Sequence, residues 1–261
     1  MAIKICIDAG HYGKYNRSSV VPAYYESDMT WTLHELLVKE LKAYGFEVII
    51  TRADKNKDLE VFQRGKLAKG CDLFLSLHSN AYWDKNRVEA SEKVNRVVVF
   101  RYFDRQDTID LGQKLSYVIG ETMGIQDCRL ATRESEEYKG TEYYGVLRGA
   151  KYVKCPKAYI LEHGFHTHRD TANWLLDKKN LEKLACSEAA IIAEYFGYSK
   201  FQDGDVNMDG HVDAFDYAML KSYILGSTKL SAEQLKQADM NHDGAINAFD
   251  YMILKNKVLN N

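Results

Sequence analysis

The chain has 261 residues, a formal net charge of −2, 46% hydrophobic residues and two prolines. That length suits one large domain plus something small, and the composition is that of a chain folded throughout, with no low-complexity tract. The near-neutral balance lacks the basic footprint of a nucleic-acid binder, and no apolar run reaches the ~20 residues of a membrane span.

The opening "MAIKICIDAG" has no basic start, no long apolar region and no cleavage site, so it does not read as an export signal. Two histories stay open: a chain made without such a signal, or one from which it was removed. Short apolar runs rich in Ile, Val, Leu and aromatics then predict strands over 3–8, 47–51, 72–78, 96–103 and 157–165. Between them lie helical patterns. In 27–44, Met29, Leu33, Leu36, Leu37 and Tyr44 fall near one face, and 108–123 and 171–196 behave similarly. This alternation predicts an α/β three-layer sandwich with a largely parallel central sheet, whose chemistry sits at the carboxyl ends of the strands. The cysteines (Cys6, Cys71, Cys128, Cys155 and Cys186) are odd in number and form no CxxC pair, which argues against a zinc ribbon or a disulfide scaffold. Cys6 and Cys71 read as small core residues.

Three strand ends carry polar groups that a plain core does not require. The first runs into Asp8-Ala9-Gly10-His11, another ends "LSLHSNA" with His78 and Asn80, and the last ends "ILEHGF" with Glu162. One histidine at a strand end is ordinarily structural; two plus a carboxylate at one sheet edge point to a metal. Catalytic zinc usually takes three protein ligands and keeps a position open. Glu26, three residues before the apolar Met29, is the best third donor, though it also reads as a helix N-terminal carboxylate favoured by the dipole. The stretch "LEHGFHTHRD" looks like a metal site of its own. Alternation along an extended segment instead turns His163 away from Glu162 and puts His166 and His168 on the following loop, so these three read as bystanders to the metal.

These segments together resemble the zinc-dependent N-acetylmuramoyl-L-alanine amidases of the amidase-3 type. The resemblance rests on "ICIDAGHYG", a Glu fifteen residues after the histidine, "CDLFLSLHSNA", "GVLRGAKYVKCPKAYILEHGF" and "THRDTANWLL", in the family's order over residues 3 to 197. It implies zinc held by His11, Glu26 and His78, with Glu162 as the catalytic glutamate. It also implies hydrolysis of the amide between N-acetylmuramic acid and L-alanine in peptidoglycan. Two positions depart from the family: Tyr12 intervenes before Gly13, and His168 replaces the Asn that commonly closes the last motif. The polar, tyrosine-rich loop 132–150 is either a groove wall, with Tyr143, Tyr144 and Arg148 touching substrate, or a solvated loop. Arg64 is either a support of the site or a plain helix charge.

Residues 203–261 hold five Lys against nine Asp and Glu, and they contain a repeat. "DVNMDGHVDAFDYAMLKSYIL" begins at Asp205, and "DMNHDGAINAFDYMILKNKVL" begins at Asp239, a period of 34. A clear repeat marks a separate module, giving domains 1–198 and 203–261. The short joining segment "GYSKFQD" predicts that the two lie close together. Each repeat reads as a calcium loop: alternating Asp and Asn, a glycine at position six for the sharp turn, and an acid at twelve. The expected ligands are Asp205, Asn207, Asp209, Asp213, Asp216 and the His211 carbonyl. In the second loop they are Asp239, Asn241, Asp243, Asn247, Asp250 and the Ala245 carbonyl. Aspartate at twelve and a single helix after each loop make the module resemble a type I dockerin, a small all-α fold of two loop–helix repeats. That resemblance implies a cohesin partner read by the pairs Ala214-Phe215 and Ala248-Phe249. It also implies an extracellular or cell-wall setting. Two other readings stay open: a phage or prophage lytic enzyme of the same chemistry with the module as a targeting domain, and a wall-binding protein without turnover.

Overall fold

The computed structural model describes residues 3–82, 93–198 and 203–260. The chain divides into two compact units. Residues 199–202 of the joining segment, on which the expected proximity of the two modules rests, lie outside the described residues.

The first unit runs β1 (Lys4–Ala9), α1 (Glu26–Ala43), β2 (Glu47–Ile50), α2 (Val61–Lys66), β3 (Leu73–Asn80), β4 (Val97–Arg101), a 3₁₀ turn (Gln106–Thr108), α3 (Ile109–Met123), β5 (Cys128–Thr132), α4 (Gly145–Tyr152), β6 (Lys157–Phe165), α5 (Arg169–Leu176) and α6 (Lys178–Phe196). Its strands form one six-stranded sheet in the order β2-β1-β3-β6-β4-β5. All neighbours pair parallel except β4 with β6. The three central strands are the most continuously apolar in the sequence and are buried almost throughout, as strands covered by helices on both faces must be. Buried Cys6, Cys71, Phe74, Tyr102, Leu147 and Ile160 share one packed cluster, which puts Cys6 and Cys71 in the core as read.

The expected α/β sandwich is therefore present, with differences in detail. β5, "CRLAT", was not foreseen, because it is short and half-exposed and lacks an apolar run. The stretch read as loop 132–150 turns helical at Gly145. The helix expected over 171–196 begins at Arg169 and breaks at Asp177, whose backbone is extended (φ −80°, ψ 114°). Glu26 is the first residue of α1 rather than the residue before it.

The second unit holds α7 (Ala214–Ile224), α8 (Ala232–Ala238) and α9 (Ala248–Leu259). Val206, Leu220, Ala238 and Leu254 are its fully buried hydrophobic residues, and the stacked rings of Tyr217 and Tyr251 lie beside them, 4.4 Å apart with their hydroxyls hydrogen-bonded. α8 precedes the second loop and adds one helix to the expected pair; a Ser231–Gln234 capping box starts it. Among the described residues no helix is long and apolar enough to cross a membrane.

Candidate metal centre

His11 leaves β1 in the left-handed backbone region (φ 60°), which is costly for a residue with a side chain. Several buried groups hold the turn there. Arg64, 3% exposed, donates from Nη1 to the Ala9 carbonyl (3.1 Å) and from Nη2 to the His11 carbonyl (3.2 Å). Arg52 Nη2 donates to the same Ala9 carbonyl (2.8 Å), and Thr30 Oγ1 to that of Gly10 (2.8 Å). The Arg64 guanidinium also meets Asp8 at 3.6 Å, and Asp8 accepts from Thr51 (2.6 Å) and Ser76 (2.7 Å). Arg64 thus supports the site through the backbone of β1 rather than serving as a helix charge. Gly10 must lack a side chain, because a Cβ there would lie 2.4 Å from His78 Cε1 and 2.5 Å from the Leu77 carbonyl.

α1 brings Glu26 against this turn, 1% exposed. Its Oε2 lies 3.2 Å from His11 Nε2 and its Oε1 2.9 Å from His78 Nδ1. The Ser79 amide donates to Oε1 (3.0 Å) and Asn16 Nδ2 to Oε2 (2.8 Å). Burial alone pushes this carboxyl up; hydrogen bonds from His11 and His78 outweigh it and hold the group well below the usual carboxylate range. The donor atoms of His11, Glu26 and His78 all lie within 4.8 Å of one another. They are the one such cluster of His, Cys, Asp or Glu found among the described residues. Two imidazoles and a carboxylate are one of the donor sets that catalytic zinc takes.

Glu162 pairs with His78 across β3 and β6. Its Oε2 is enclosed and has no hydrogen-bond partner. Burial, and then the charge of Glu26, push its carboxyl well above the ordinary range. Tyr144 lies on the same side: burial and then the Glu162 charge push its hydroxyl up to about 12. A cleft of about 380 Å³ is lined by His11, Tyr12, Tyr15, Arg64 and His78, with Val61 and Val146 from α2 and α4. Tyr143 is exposed and stacked under Arg133 at 3.5 Å, while Arg148 donates to the backbone of Glu142 and Tyr143.

The three clustered histidines separate as alternation requires. His163 is fully buried on the opposite side of β6 from Glu162, and His168 opens α5 with Nδ1 facing Thr171 at 3.4 Å. His166 comes nearer to the cluster than foreseen. Its Nδ1 bonds Ser79 Oγ (2.9 Å) and lies 3.9 Å from Glu26 Oε2, behind the carboxylate. Asn16, which bridges Glu26 and His11, was missed outright. Its left-handed backbone (φ 51°) is one Asn tolerates, but nothing in its spacing announced it.

In the second unit both loops adopt the same hydrogen-bond pattern. Asp205 accepts the amides of Asp209 (3.1 Å) and Gly210 (2.9 Å), and Asp239 accepts those of Asp243 (3.1 Å) and Gly244 (2.9 Å). Asp216 and Asp250 are fully buried and accept the amides of Asp213 and Asn247, each at 2.8 Å. Gly210 and Gly244 take positive φ (90° and 82°), the turn expected at position six. Phe215 and Phe249 stand 73% and 64% exposed, with Ala214 and Ala248 exposed beside them.

A family profile described as N-acetylmuramoyl-L-alanine amidase matches residues 5–194, and one described as dockerin type I domain matches residues 203–259. No curated protein matches. Among solved structures, Cwp6 from Clostridium difficile is 21% identical with a TM-score of 0.63; the match covers 74% of this chain and 29% of Cwp6, so the chain spans under a third of that relative. An N-acetylmuramoyl-L-alanine amidase from Clostridium difficile 630 is 21% identical with a TM-score of 0.62, covering 75% of this chain and 97% of that one. The catalytic domain of CwlV, an amidase of Bacillus (Paenibacillus) polymyxa, is 22% identical with a TM-score of 0.60, covering 76% and 99%. At these identities the structures establish the fold. Fold and family match together define a hydrolase of carbon–nitrogen amide bonds. The chain belongs to the N-acetylmuramoyl-L-alanine amidase family and carries a type I dockerin domain after the catalytic fold.

Proposed function

We propose that residues 1–198 form a zinc-dependent hydrolase domain acting on the amide between N-acetylmuramic acid and L-alanine in peptidoglycan. The observation that carries this is the convergence of His11, Glu26 and His78 within 4.8 Å, one strand pairing away from Glu162. In this reading those three residues hold the zinc. Bound there, zinc supplies a Lewis acid for the scissile carbonyl and lowers the pKa of water. Glu162 is the general base: its raised carboxyl accepts the proton of the attacking water and returns it to the departing amine. Arg64, Arg52 and Thr30 fix the His11 turn, while Asn16, Ser79 and His166 surround Glu26. Tyr143, Tyr144 and Arg148 are substrate contacts in this reading.

The second unit, residues 203–261, takes calcium at its two loops and docks to a cohesin, with Ala214-Phe215 and Ala248-Phe249 at the interface. The identical carboxylate-to-amide pattern of the loops and the exposure of both phenylalanines support this. The setting is outside the cell or at the wall. A phage-type lytic enzyme of the same chemistry is the second biological context, and the presence of all four site residues argues against a wall-binding protein without turnover.

The test is digestion of purified peptidoglycan with and without a zinc chelator. New L-alanine amino termini without new reducing ends, abolished by the chelator and restored by zinc, support the proposal. New reducing ends would mean a different scissile bond. No cleavage despite bound zinc would favour the non-catalytic reading.

A further inference from the structure

We infer that His163 and Glu188 form a buried positioning pair for the metal centre. His163 holds the backbone carbonyl of His78 and so fixes the direction in which that imidazole is presented. The inference rests on the zinc reading above.

The pair lies behind the sheet, on the face away from the cleft. Both residues are 0% exposed. His163 Nδ1 lies 2.8 Å from the His78 carbonyl oxygen, and Nε2 lies 2.7 Å from Glu188 Oε1. A carbonyl only accepts, so Nδ1 carries a proton and donates it. Glu188 then meets Nε2 and fixes the ring plane.

The position in the sheet is unusual. β3 and β6 pair His78 with Glu162 and then Asn80 with Phe165, so β6 uses two residues, His163 and Gly164, where β3 uses Ser79 alone. Gly164 takes a left-handed φ of 71°. Bulges of this kind re-aim side chains beside active sites, and they disturb the ladder locally. The His163 ring donates to the backbone at this irregularity, at the residue proposed to bind metal.

Packing alone does not account for the pair. The buried face of α6 otherwise reads Leu181, Leu184, Ala185, Ala189, Ile192 and Ala193. A glutamate in that stripe is costly unless partnered, and its Oε2 has no partner at all. An apolar pair would pack there more favourably, whereas only a polar side chain can donate to the His78 carbonyl.

The test separates the two roles. His163→Leu alone strands Glu188 and should lower the melting temperature. The double variant His163→Leu/Glu188→Leu should recover the melting temperature of the parent chain, because both buried polar groups are gone. Its zinc affinity, read by competition with a chromophoric chelator, should nevertheless stay about 10- to 100-fold weaker, the range seen when supports of metal ligands are removed. Glu188→Gln keeps a hydrogen-bonding partner for Nε2, its amide donating to that nitrogen of the neutral ring, and should retain the parent's zinc affinity. A folded double variant with the parent's zinc affinity would overturn the inference. If the double variant does not fold, Glu188→Leu alone decides: it keeps the Nδ1 bond but frees the ring, so zinc affinity should fall several-fold, and unchanged affinity overturns the inference. Should the parent chain bind no zinc, the reading beneath this inference fails, a result distinct from parent and variant binding equally.

Discussion

The carboxylate of Glu26 meets His78 through a single oxygen, Oε1, 2.9 Å from Nδ1, leaving Oε2 for His11. One buried acid thus faces both imidazoles from the first turn of α1. A metal at this point would be held by these same three side chains, His11, Glu26 and His78. Replacing His78 by Ala removes one of the three converging donors. We expect His78→Ala to retain the fold and to drop from about one zinc per chain to near none, measured by elemental analysis after dialysis. Full zinc in that variant would remove His78 from the ligand set.

Glu162 differs from Glu26 in having no partner for Oε2. A carboxyl held for proton transfer can leave an oxygen unpartnered until substrate arrives. Glu162→Gln keeps shape and volume but cannot accept the water proton. Its zinc content should match the parent chain while kcat falls by roughly 10²- to 10⁴-fold. Steady-state kinetics on peptidoglycan fragments, with zinc measured on the same sample, checks both halves. Near-parent turnover would exclude the general-base role.

The parts of the site that could be read from the chain are those set by strand ends. His11, His78 and Glu162 follow apolar runs long enough to predict as strands, and Glu26 precedes a helical stripe that begins at Met29. The supports were not legible, because they depend on contacts between distant segments. Arg64 reaches the His11 carbonyl 53 positions away, and Ser79 bonds His166 at a separation of 87. No local period encodes such pairs. The same limit hid β5: its alternation is weak, and it is a strand because β4 lies beside it. His163 is the opposite case, since alternation alone turned it away from Glu162.

His34 gives a pH dependence that involves no proposed metal ligand. It lies on the buried face of α1, 4% exposed, with its ring against that of Trp31. Burial pushes its pKa below the ordinary imidazole range. A base depressed on folding stabilises the native state above its unfolded pKa, and that stability is lost as pH falls through the folded value. His34 should therefore cost the first unit stability on going from about pH 7 to about pH 5, against the opposite contribution of the raised Glu162 carboxyl. Burial depresses His166 in the same direction, so His34→Gln should weaken this dependence without abolishing it. Urea denaturation at the two pH values measures it; an unchanged slope in the variant would exclude His34.

The two aspartate-rich loops bury Asp205, Asp216 and Asp250 in a small module whose fully buried hydrophobic core is Val206, Leu220, Ala238 and Leu254. So slight a core gains much of its stability from bound metal. Excess calcium, at about 1,000 times Kd, would contribute about 4 kcal/mol per site. Chelation should unfold α7 and α9 while leaving the melting transition of the first unit in place. Circular dichroism during a calcium titration, paired with hydrogen exchange resolved by segment, tests this. Protection in α7 and α9 that persists in chelator would show that the module folds without metal.

Phe215 and Phe249 sit at matching positions of the repeat, each second in its helix and more than half exposed. Exposed aromatics of this kind serve as anchors when a partner buries them, and removing one typically weakens binding by about 2 kcal/mol or more. Here the repeat offers the same anchor twice, presented by two near-identical loops. If either copy can face the cohesin, a single change leaves the other orientation open. Phe215→Ala and Phe249→Ala should each bind a type I cohesin within a few-fold of the parent chain, whereas the double variant should lose roughly 30-fold or more. Calorimetry in excess calcium provides the comparison. A single variant as weak as the double one would show that only one face docks. Parent-like affinity in the double variant would place the interface elsewhere on the module.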